Sequence, residues 1–449
     1  MSQEACAVLF DLPPEDPDQA ARPLTVVRRL APLAGVFLLA ACATGKATPP
    51  ASPATPAPSA TGIASLKLEV LTDRLGPPMK RGTGTCPSPG RNVDQLRPIT
   101  LPRSNWELAS ATAEEGELGQ ATVTPDGALW ALHETGRTQE PVRWTGSAWQ
   151  KLPALPLGKD PQVRLGAASA DRAWIIVESA PPMSPDDPPA TYVVSTWDGR
   201  AWRSERVDLG VRPASGEELA AQGAWVLLGD RAMRWSGKAW QTAPLHSYSY
   251  QVAGTTEEPW VIAPPDPDDE DEAQIQLSRW TDQGWQAVPL PEGMTLPPGT
   301  KAIHPDKPLT EIAGVARTGP EEFWVAGTFS WGEHEPVDEE DIPVSRRLVM
   351  RNVAGRWSCW WGPTDDDQPD PFVDAVSDGR GGLWAATELG MLWHLSDGRW
   401  TREQAPVDKG VPVIRDLAGS PGGEIYALGG IGSKRSAEET RPALWRLKP

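Results

Sequence analysis

The chain has 449 residues and a formal net charge of −18. No surplus of basic residues is available to displace counterions from a phosphate backbone, which excludes nucleic acid as an expected partner. With 42 glycines and 49 prolines the chain is rich in turns without being low in complexity. Its 22 tryptophans, against 4 tyrosines and 5 phenylalanines, indicate one local pattern used many times.

Residues 1–41 are predicted to be a signal peptide. Arg28 and Arg29 precede an uncharged apolar stretch, residues 30–41, which is too short to span a bilayer and ends in small residues. Residues 1–25 carry acidic side chains where a signal peptide should be basic, so we expect translation to start near Val26. The alternatives are an ordinary, non-lipoprotein signal and a buried apolar segment.

The four residues Leu39-Ala40-Ala41-Cys42 resemble the lipobox of bacterial lipoproteins. The resemblance implies that Cys42 is acylated, becomes the new amino terminus and anchors the protein to a membrane. Ala43 follows it, instead of the aspartate that favours inner-membrane retention in the best-known lipoprotein systems. The resemblance therefore implies a lipid-anchored protein of the cell envelope, more readily in the outer membrane than in the inner one.

Residues 42–62 are predicted to form a disordered tether, because many prolines and no large apolar side chain follow Cys42. Residues 63–102 are expected to be an irregular lead-in to the folded body. Cys86 and Cys359 are the two thiols left in the mature chain, and an oxidising compartment allows them to pair. The sequence leaves open whether they pair or remain free.

A unit of turn, apolar strand and hairpin recurs seven times, which decides the fold. Its first half is seen in PDGALWAL (125–132), ADRAWIIV (170–177), AQGAWVLL (221–228), TEEPWVIA (256–263), GPEEFWVAG (319–327), GRGGLWAA (379–386) and GGEIYALG (422–429). Its second half is seen in WTGSAW (144–149), WDGRAW (197–202), WSGKAW (235–240), WTDQGW (280–285), NVAGRW (352–357) and LSDGRW (395–400). Turn-forming residues between two β-compatible positions are typical of hairpins.

The last unit lacks its fourth strand, and the segment SNWELAS (104–110) has the composition to supply it. If that segment completes the last sheet, the ring closes through the two ends of the body. Each unit has about 50 residues, the size of a propeller blade. We therefore predict an all-β, seven-bladed β-propeller over residues 103–449, closed by N- and C-terminal strands in the last blade and monomeric.

The unit GRGGLWAATELGMLWHLSDGRW (379–400) resembles the repeats of two-component-regulator propellers and, more loosely, tectonin repeats. These families imply a propeller that recognises ligands or proteins, and they imply no particular reaction. The chain contains no histidine-kinase or output domain, so a signalling role does not follow from the resemblance.

The repeated tryptophans are expected to fill the wedge between neighbouring blades, since each indole buries a large apolar surface. Stacking on sugars is the functional alternative for these positions. Trp331, Trp360 and Trp361 lie outside the repeat pattern, which makes them candidates for contact with a ligand or partner.

Acidic residues are concentrated in the segments between second and third strands and between blades, which share one face of a propeller. They are Asp186, Asp187, Asp266, Asp268, Asp269, Glu270, Asp271, Glu272, Glu333, Glu335, Asp338, Glu339, Glu340, Asp341, Asp365, Asp366, Asp367 and Asp370. The runs at 266–272 and 338–341 are the candidate binding residues, for a cationic peptide, a basic protein or Ca²⁺ steered by charge. The alternative is that these segments are merely solvated. No run has the spacing of a calcium loop, so no metal site is assigned.

The five histidines are scattered, and the sequence contains no zinc motif, nucleophile elbow, phosphate loop or dinucleotide fingerprint. No cofactor is expected. We predict a membrane-tethered, non-catalytic binding propeller that recognises a protein, peptide or glycan through its loop-rich acidic face. The alternative is an extracytoplasmic glycan hydrolase or lyase, which would need two carboxyl groups at a fixed separation near the axis.

Overall fold

The computed structural model describes residues 63–136, 138–155, 162–179, 191–207, 219–246, 249, 251–255, 257–263, 275–303, 308–319, 321–334, 341–365, 370–420, 423–433 and 436–448. All of them belong to one compact unit, Ala57–Pro449. Across these ranges the secondary structure consists of β-strands, and no helix is present.

The described strands form seven sheets of four antiparallel strands each, which we call blades 1 to 7. Four strands precede them: β1 (Leu68–Val70), β2 (Thr85–Pro87), β3 (Ile99–Thr100) and β4 (Trp106–Ala111). Blade 1 has β5 (Glu117–Val123), β6 (Leu129–Thr135), β7 (Thr138–Trp144) and β8 (Trp149–Lys151). Blade 2 has β9 (Gln162–Ser169), β10 (Arg172–Ser179), β11 (Thr191–Trp197) and β12 (Trp202–Val207). Blade 3 has β13 (Leu219–Gln222), β14 (Trp225–Leu228), β15 (Arg231–Trp235) and β16 (Trp240–Pro244).

The remaining blades continue in chain order. Blade 4 has β17 (Gln251–Gly254), β18 (Pro259–Ala263), β19 (Gln276–Thr281) and β20 (Gly284–Val288), and β21 (Glu292–Thr295) follows it and pairs with β2. Blade 5 has β22 (Leu309–Gly319), β23 (Glu322–His334), β24 (Asp341–Val353) and β25 (Arg356–Asp365). Blade 6 has β26 (Phe372–Ser377), β27 (Leu383–Thr387), β28 (Met391–Ser396) and β29 (Arg399–Gln404). Blade 7 has β30 (Val411–Gly419), β31 (Ile425–Ser433), β32 (Ser436–Leu447) and, from the other end of the body, β4.

The first strands of the seven blades contact one another in sequence and close a ring around a central axis. Blade 7 is completed by β4, which pairs antiparallel with β32, Trp106 opposite Leu447 and Ser110 opposite Leu444. The seven-bladed propeller and its closure by the two ends of the body are therefore confirmed. Because strand direction alternates, first-to-second and third-to-fourth connections lie at one face, the turn face. Second-to-third connections and those between blades lie at the other, the loop-rich face.

The repeated aromatic residue on each second strand packs against the following blade, as the repeat predicts. Trp130 of blade 1, for example, lies in one cluster with Val163 and Leu165 of blade 2, and its indole N–H donates to Ser169 O (3.2 Å). Tyr426 of blade 7 packs likewise against blade 1, so the set of contacts closes the ring. The aromatic residues that share this position are Trp130, Trp174, Trp225, Trp260, Trp324, Trp384 and Tyr426, and none is more than 5 % exposed.

Residues 63–102 form a belt along the outer edges of blades 2 to 6, where an irregular lead-in was expected. The belt lies parallel to the outermost strand of blade 3 through β1 and to that of blade 6 through β3. Backbone hydrogen bonds join it to the other three blades in the same way: Leu66 N to Arg206 O, Gly76 N to Trp285 O, and Trp357 N to Thr83 O. The belt satisfies edge-strand groups that would otherwise be open to pairing with another chain.

A disulfide between Cys86 and Cys359 fixes the belt to blade 5, with the two Cα atoms 5.5 Å apart. The question that the sequence left open is thus answered by a pair whose members are 273 residues apart. Beside it, the fully buried Arg346 of β24 donates to the belt carbonyls of Pro89 (2.7 Å) and Val93 (2.7 Å). Burial lowers the pKa of Arg346 to about 10, which leaves the side chain charged at neutral pH.

Candidate functional site

A cavity of about 460 Å³ lies on the axis and reaches the turn face. The first strands of all seven blades line it, together with turn residues such as Gly223, Thr255 and Gly379. A cavity of this size is large enough for a small ligand, so the side chains that face it are the first candidates for a site.

Polar side chains on these inner strands connect five pairs of neighbouring blades: 1 to 2, 2 to 3, 4 to 5, 6 to 7 and 7 to 1. Gln120 of blade 1 donates to Val163 O (3.0 Å) and accepts from Leu165 N (3.2 Å), both in blade 2. The others are Arg164 Nε to Leu219 O (2.8 Å), Gln251 Nε2 to Ala313 O (2.9 Å), Leu417 N to Asp374 Oδ2 (2.8 Å) and Ala121 N to Asp416 Oδ2 (2.5 Å). These side chains are therefore engaged in hydrogen bonds that hold neighbouring blades together.

Asp374 and Asp416 share a hydrogen bond within this ring. Burial raises the pKa of Asp374 well above its usual range, and the neighbouring Asp416 raises it further. Burial also raises the pKa of Asp416, to about 6. A protonated Asp374 that donates to an ionised Asp416 satisfies both groups. A hydrolase of glycosidic bonds needs its two carboxyl groups about 5 Å or more apart, so a pair in direct contact does not provide that geometry.

Most of the predicted acidic binding residues lie outside the described residues. Asp266, Asp268, Asp269, Glu270, Asp271, Glu272, Asp338, Glu339 and Glu340 belong to that set, as does the lipidation candidate Cys42. Asp341 begins β24 and pairs through its backbone with His334, at the loop-rich end of blade 5.

Among the acidic residues of the same segments, Glu333 and Asp370 are the two whose side chains the structure describes, and both are paired. Glu333 accepts from Arg91 Nη1 (2.5 Å) and from the indole N–H of Trp331 (2.8 Å). Asp370 Oδ2 lies 3.5 Å from Arg347 Nη2. These two carboxylates hold the belt and the segment before blade 6 against blade 5.

Three large apolar side chains are exposed at the loop-rich face: Leu309 (47 %), Leu389 (45 %) and Val411 (37 %). Leu389 and Val411 are neighbours, because Glu388 O accepts from Ile414 N and Gly390 lies against Pro412. The other large hydrophobic residues with comparable exposure in the described part of the chain all lie on the belt. Among the residues of the blades themselves, within the described ranges, the exposed large hydrophobic side chains therefore lie at the loop-rich face, whereas the belt adds Ile99 beside the turn face.

The three candidate tryptophans fall into two environments. Trp331 (6 % exposed) and Trp361 (1 %) are part of the core around the disulfide, where both pack against Phe329. Trp360 is half-buried and stacks on Trp324, with the ring centroids 5.4 Å apart and an interplanar angle of 29°. Of the three, Trp360 is the one placed where a ligand can reach it.

Trp360 lines a groove of about 580 Å³ on the turn face, between blades 5 and 6 and under the belt. Trp324, Trp400 and Leu395 form its apolar wall, and the 60 % exposed Ile99 of the belt extends that wall. Its charged rim consists of Arg97, Arg351, Arg380, Arg399, Glu322 and Asp397.

Neither the axial carboxyl pair nor the arginine rim was predicted from the sequence. The pair stands at matching places in the first strands of the last two units, in FVDAVS (372–377) and VIRDLAGS (413–420). That alignment was a usable signal. The rim combines two turns of blade 6 and two strands of blade 5 with a belt residue, and only the folded chain brings them together.

Two histidines near the repeats have structural partners. His133 is 6 % exposed, and its Nε2 lies 3.1 Å from Glu115 O. His394 stacks on Trp384 and lies 3.0 Å from Asp378 Oδ2. Burial acts to raise the pKa of Asp378, but hydrogen bonds from His394 and two backbone N–H groups outweigh it and lower that pKa.

In the part of the chain that the structure describes, no helix has the length and apolar character needed to cross a bilayer. Over the same residues, no three His, Cys, Asp or Glu side chains are grouped so that they could hold a metal ion.

No family model and no curated protein matches the chain. Several solved structures do. YCF48 bound to D1 peptide matches with 13 % identity and a TM-score of 0.48, over 78 % of this chain and 97 % of that one. The extracellular domain of a putative one-component system from B. thetaiotaomicron matches with 12 % identity and a TM-score of 0.41, over 75 % of this chain and 39 % of that one. An α-L-arabinofuranosidase from Fusarium graminearum matches with 10 % identity and a TM-score of 0.39, over 80 % of this chain and 98 % of that one. All three TM-scores are below 0.5, so these likenesses carry no statement about this chain, and its propeller fold rests on the strand pairing described above.

Proposed function

We propose that this protein is a lipid-anchored, non-catalytic binding propeller of the cell envelope that docks a protein or peptide on its loop-rich face. The observation that carries the proposal is the exposure of Leu309, Leu389 and Val411 at that face. Apolar side chains next to charged segments are typical of surfaces that dock another protein.

The acidic segments indicate the sign of charge that the partner should carry. The strand ends that flank the runs at 266–272 and 338–341 are Ala263, Gln276, His334 and Asp341, and all lie at the loop-rich face. A partner with a basic surface would therefore be steered toward the exposed apolar side chains.

Binding is favoured over glycan hydrolysis by the state of the axial carboxyl groups. Asp374 and Asp416 bond to each other and to backbone N–H groups of neighbouring blades. A group committed to holding two blades together is poorly placed to donate or remove a proton from a substrate.

The membrane part of the proposal rests on the sequence around Cys42. Acylation there would hold the propeller at the membrane, with residues 43–62 as a tether and with the outer membrane as the favoured site. A Cys42→Ala variant is expected to lose incorporation of labelled palmitate and to leave the membrane fraction. Retention of label would contradict the assignment of the lipidation site.

The docking face is tested by capture from the native envelope after cross-linking, with the full chain carrying a C-terminal tag. Neutralising Asp269, Glu270 and Asp271, or changing Leu389→Ser, should reduce the captured partner at least fivefold at low salt. Neutralising three exposed acids of the turn face, Glu257, Asp282 and Glu321, is the matched control and should leave capture unchanged. Equal capture by all variants would refute the docking face.

A further inference from the structure

The groove between blades 5 and 6 combines a flat aromatic wall with unpaired positive charge. Its lining is unlike the rest of a chain whose net charge is −18. We propose that this groove is a second binding site, on the face opposite the docking surface, and that it binds an anionic oligosaccharide with uronic acid units.

The aromatic wall is rigid. Trp360 stacks on Trp324, and the guanidinium carbon of Arg351 lies 5.2 Å from the Trp324 ring centroid on the same blade. Trp360 remains half-buried, whereas Trp324 is 5 % exposed. One indole is therefore supported from behind while part of its surface stays open to the groove, which suits stacking against the C–H face of a sugar ring.

The rim has positive charge to spare. Arg351 Nε donates to Glu322 Oε1 (2.8 Å), and this pair neutralises the Glu322 carboxylate. Arg97, Arg380 and Arg399 are exposed and have no ion-pair partner among the described residues. Asp397 is the other acid of the groove, so three guanidinium groups face one carboxylate. Arginine matches the planar geometry of a ligand carboxylate and can bind it through two hydrogen bonds.

A peptide is a poorer fit because the sheet edge beside the groove is already covered. The belt residue Gln95 donates its backbone N–H to Trp361 O (2.8 Å), and β3 pairs with β29. An extended peptide gains much of its affinity by adding a strand to an open edge, and the belt removes that option here. Ring stacking with carboxylate recognition needs no open edge.

The test is calorimetric titration of the full chain, in detergent, with trisaccharides prepared from polygalacturonate, alginate and hyaluronate. Maltotriose is the neutral comparison and a glutamate-rich hexapeptide is the acidic one. We expect at least one uronate trimer to bind. The affinity for maltotriose and for the peptide should be at least tenfold lower than the affinity for that trimer. Raising NaCl from about 50 to about 200 mM should weaken uronate binding several-fold.

Variants assign the binding to the groove. Trp360→Ala should weaken uronate affinity at least tenfold, while Trp149→Ala, at a half-buried tryptophan of blade 1, should leave it unchanged. Arg380→Gln with Arg399→Gln should weaken it at least tenfold and remove most of the salt dependence. Arg200→Gln with Arg203→Gln, at the corresponding hairpin of blade 2, is the control for that pair. Trp360→Phe keeps an aromatic face and should retain part of the affinity if the chain is folded.

Absence of binding to all three uronates, equal or tighter binding of the acidic peptide, or uronate affinity unchanged in the groove variants would each overturn the proposal. The groove substitutions lie on the face opposite the docking face and should leave capture of a protein there unchanged, so failure of the groove and failure of the docking face are separate results.

Discussion

The carboxyl groups of Asp374 and Asp416 face the axis, but their role is to join neighbouring blades of the ring. Each accepts a backbone hydrogen bond from the next blade, and each is brought against the other because blades 6 and 7 are neighbours. Two carboxylates in contact cannot both be ionised without strong repulsion, so one proton stays with the pair over a wide range of pH.

This pair predicts an unusual dependence of stability on pH. The pKa of both groups is raised in the folded chain, that of Asp416 to about 6, so above the usual carboxyl range the pair holds more protons in the folded state than in the unfolded state. The contribution of this pair to the free energy of unfolding therefore falls as the pH rises through the pKa values of the folded pair. Asp374→Asn imitates the protonated carboxyl, and we expect it to be more stable than wild type at pH 8 by about 1 kcal/mol.

Urea unfolding at pH 5 and pH 8 measures the effect. The Asp374→Asn variant should lose most of the difference between the two pH values, whereas Asp282→Asn, at an exposed turn, should keep it. If wild type is as stable at pH 8 as at pH 5, or if the variant is destabilised equally at both pH values, the shared proton of Asp374 and Asp416 does not make stability depend on pH.

For single residues, the sequence predicts the role of those that recur at one position of the repeat. Six tryptophans and Tyr426 could be assigned to the interfaces between blades because they occupy one position in seven units. The axial pair depends on which inner strands are adjacent, and the charge of the groove depends on Arg97 arriving from a distant segment. Neither could be obtained from spacing along the chain.

The belt pairs with the outer strands of the blades through its backbone and also packs apolar side chains such as Leu68 and Leu96 against them. Parallel pairing of β1 with β16 and of β3 with β29 needs N–H and C=O groups and makes little demand on side chains. The alternation of apolar residues in LKLEV (66–70) was a usable signal for β1, and Leu66 and Leu68 pack against blades 2 and 3. β2 and β3 have three and two residues, which is too short for a periodic pattern, so the rest of the belt resembled an irregular segment. The repeat units, by contrast, bury one set of residues in every blade and were predictable.

Removing the disulfide should loosen the belt and leave the blades folded. With Cys86→Ser and Cys359→Ser, the belt at blade 5 keeps Arg346 and its backbone bonds but loses the covalent link. Local opening is then easier than global unfolding, and we expect trypsin to cleave at Lys80, Arg81 and Arg91 at least fivefold faster. Mass spectrometry of limited digests follows these sites.

Cleavage at Lys409, an exposed site between blades 6 and 7, is the internal reference and should proceed at the wild-type rate. Faster cleavage at Lys409 as well would mean that the whole body is destabilised. Unchanged cleavage throughout would mean that Arg346 and backbone pairing hold the belt without the disulfide.

For the whole molecule, closure of the ring is non-covalent. Blades 1 to 6 each draw their four strands from one continuous stretch of chain, but in blade 7 the strand β4 is held to β32 by pairing and packing. The same ring therefore contains six blades whose outer strand is tied by a short turn and one whose outer strand can leave without breaking a turn.

Matched substitutions in two blades should expose this difference. Trp106 on β4 and Trp285 on β20 are both outer-strand tryptophans with at most 1 % exposure, and loss of either should cost about 3–5 kcal/mol. Trp106→Ala should raise amide hydrogen exchange in β32 at least tenfold and produce dimers at high protein concentration, because an uncovered β32 is an open edge. In Trp285→Ala the turn at Asp282 and Gln283 keeps β20 beside β19, so exchange in β19 should rise less and the protein should remain monomeric.

Hydrogen-exchange mass spectrometry and light scattering separate the two outcomes. Equal exchange in the two blades, with no dimers from either variant, would show that the closing strand is held as firmly as a covalently connected one.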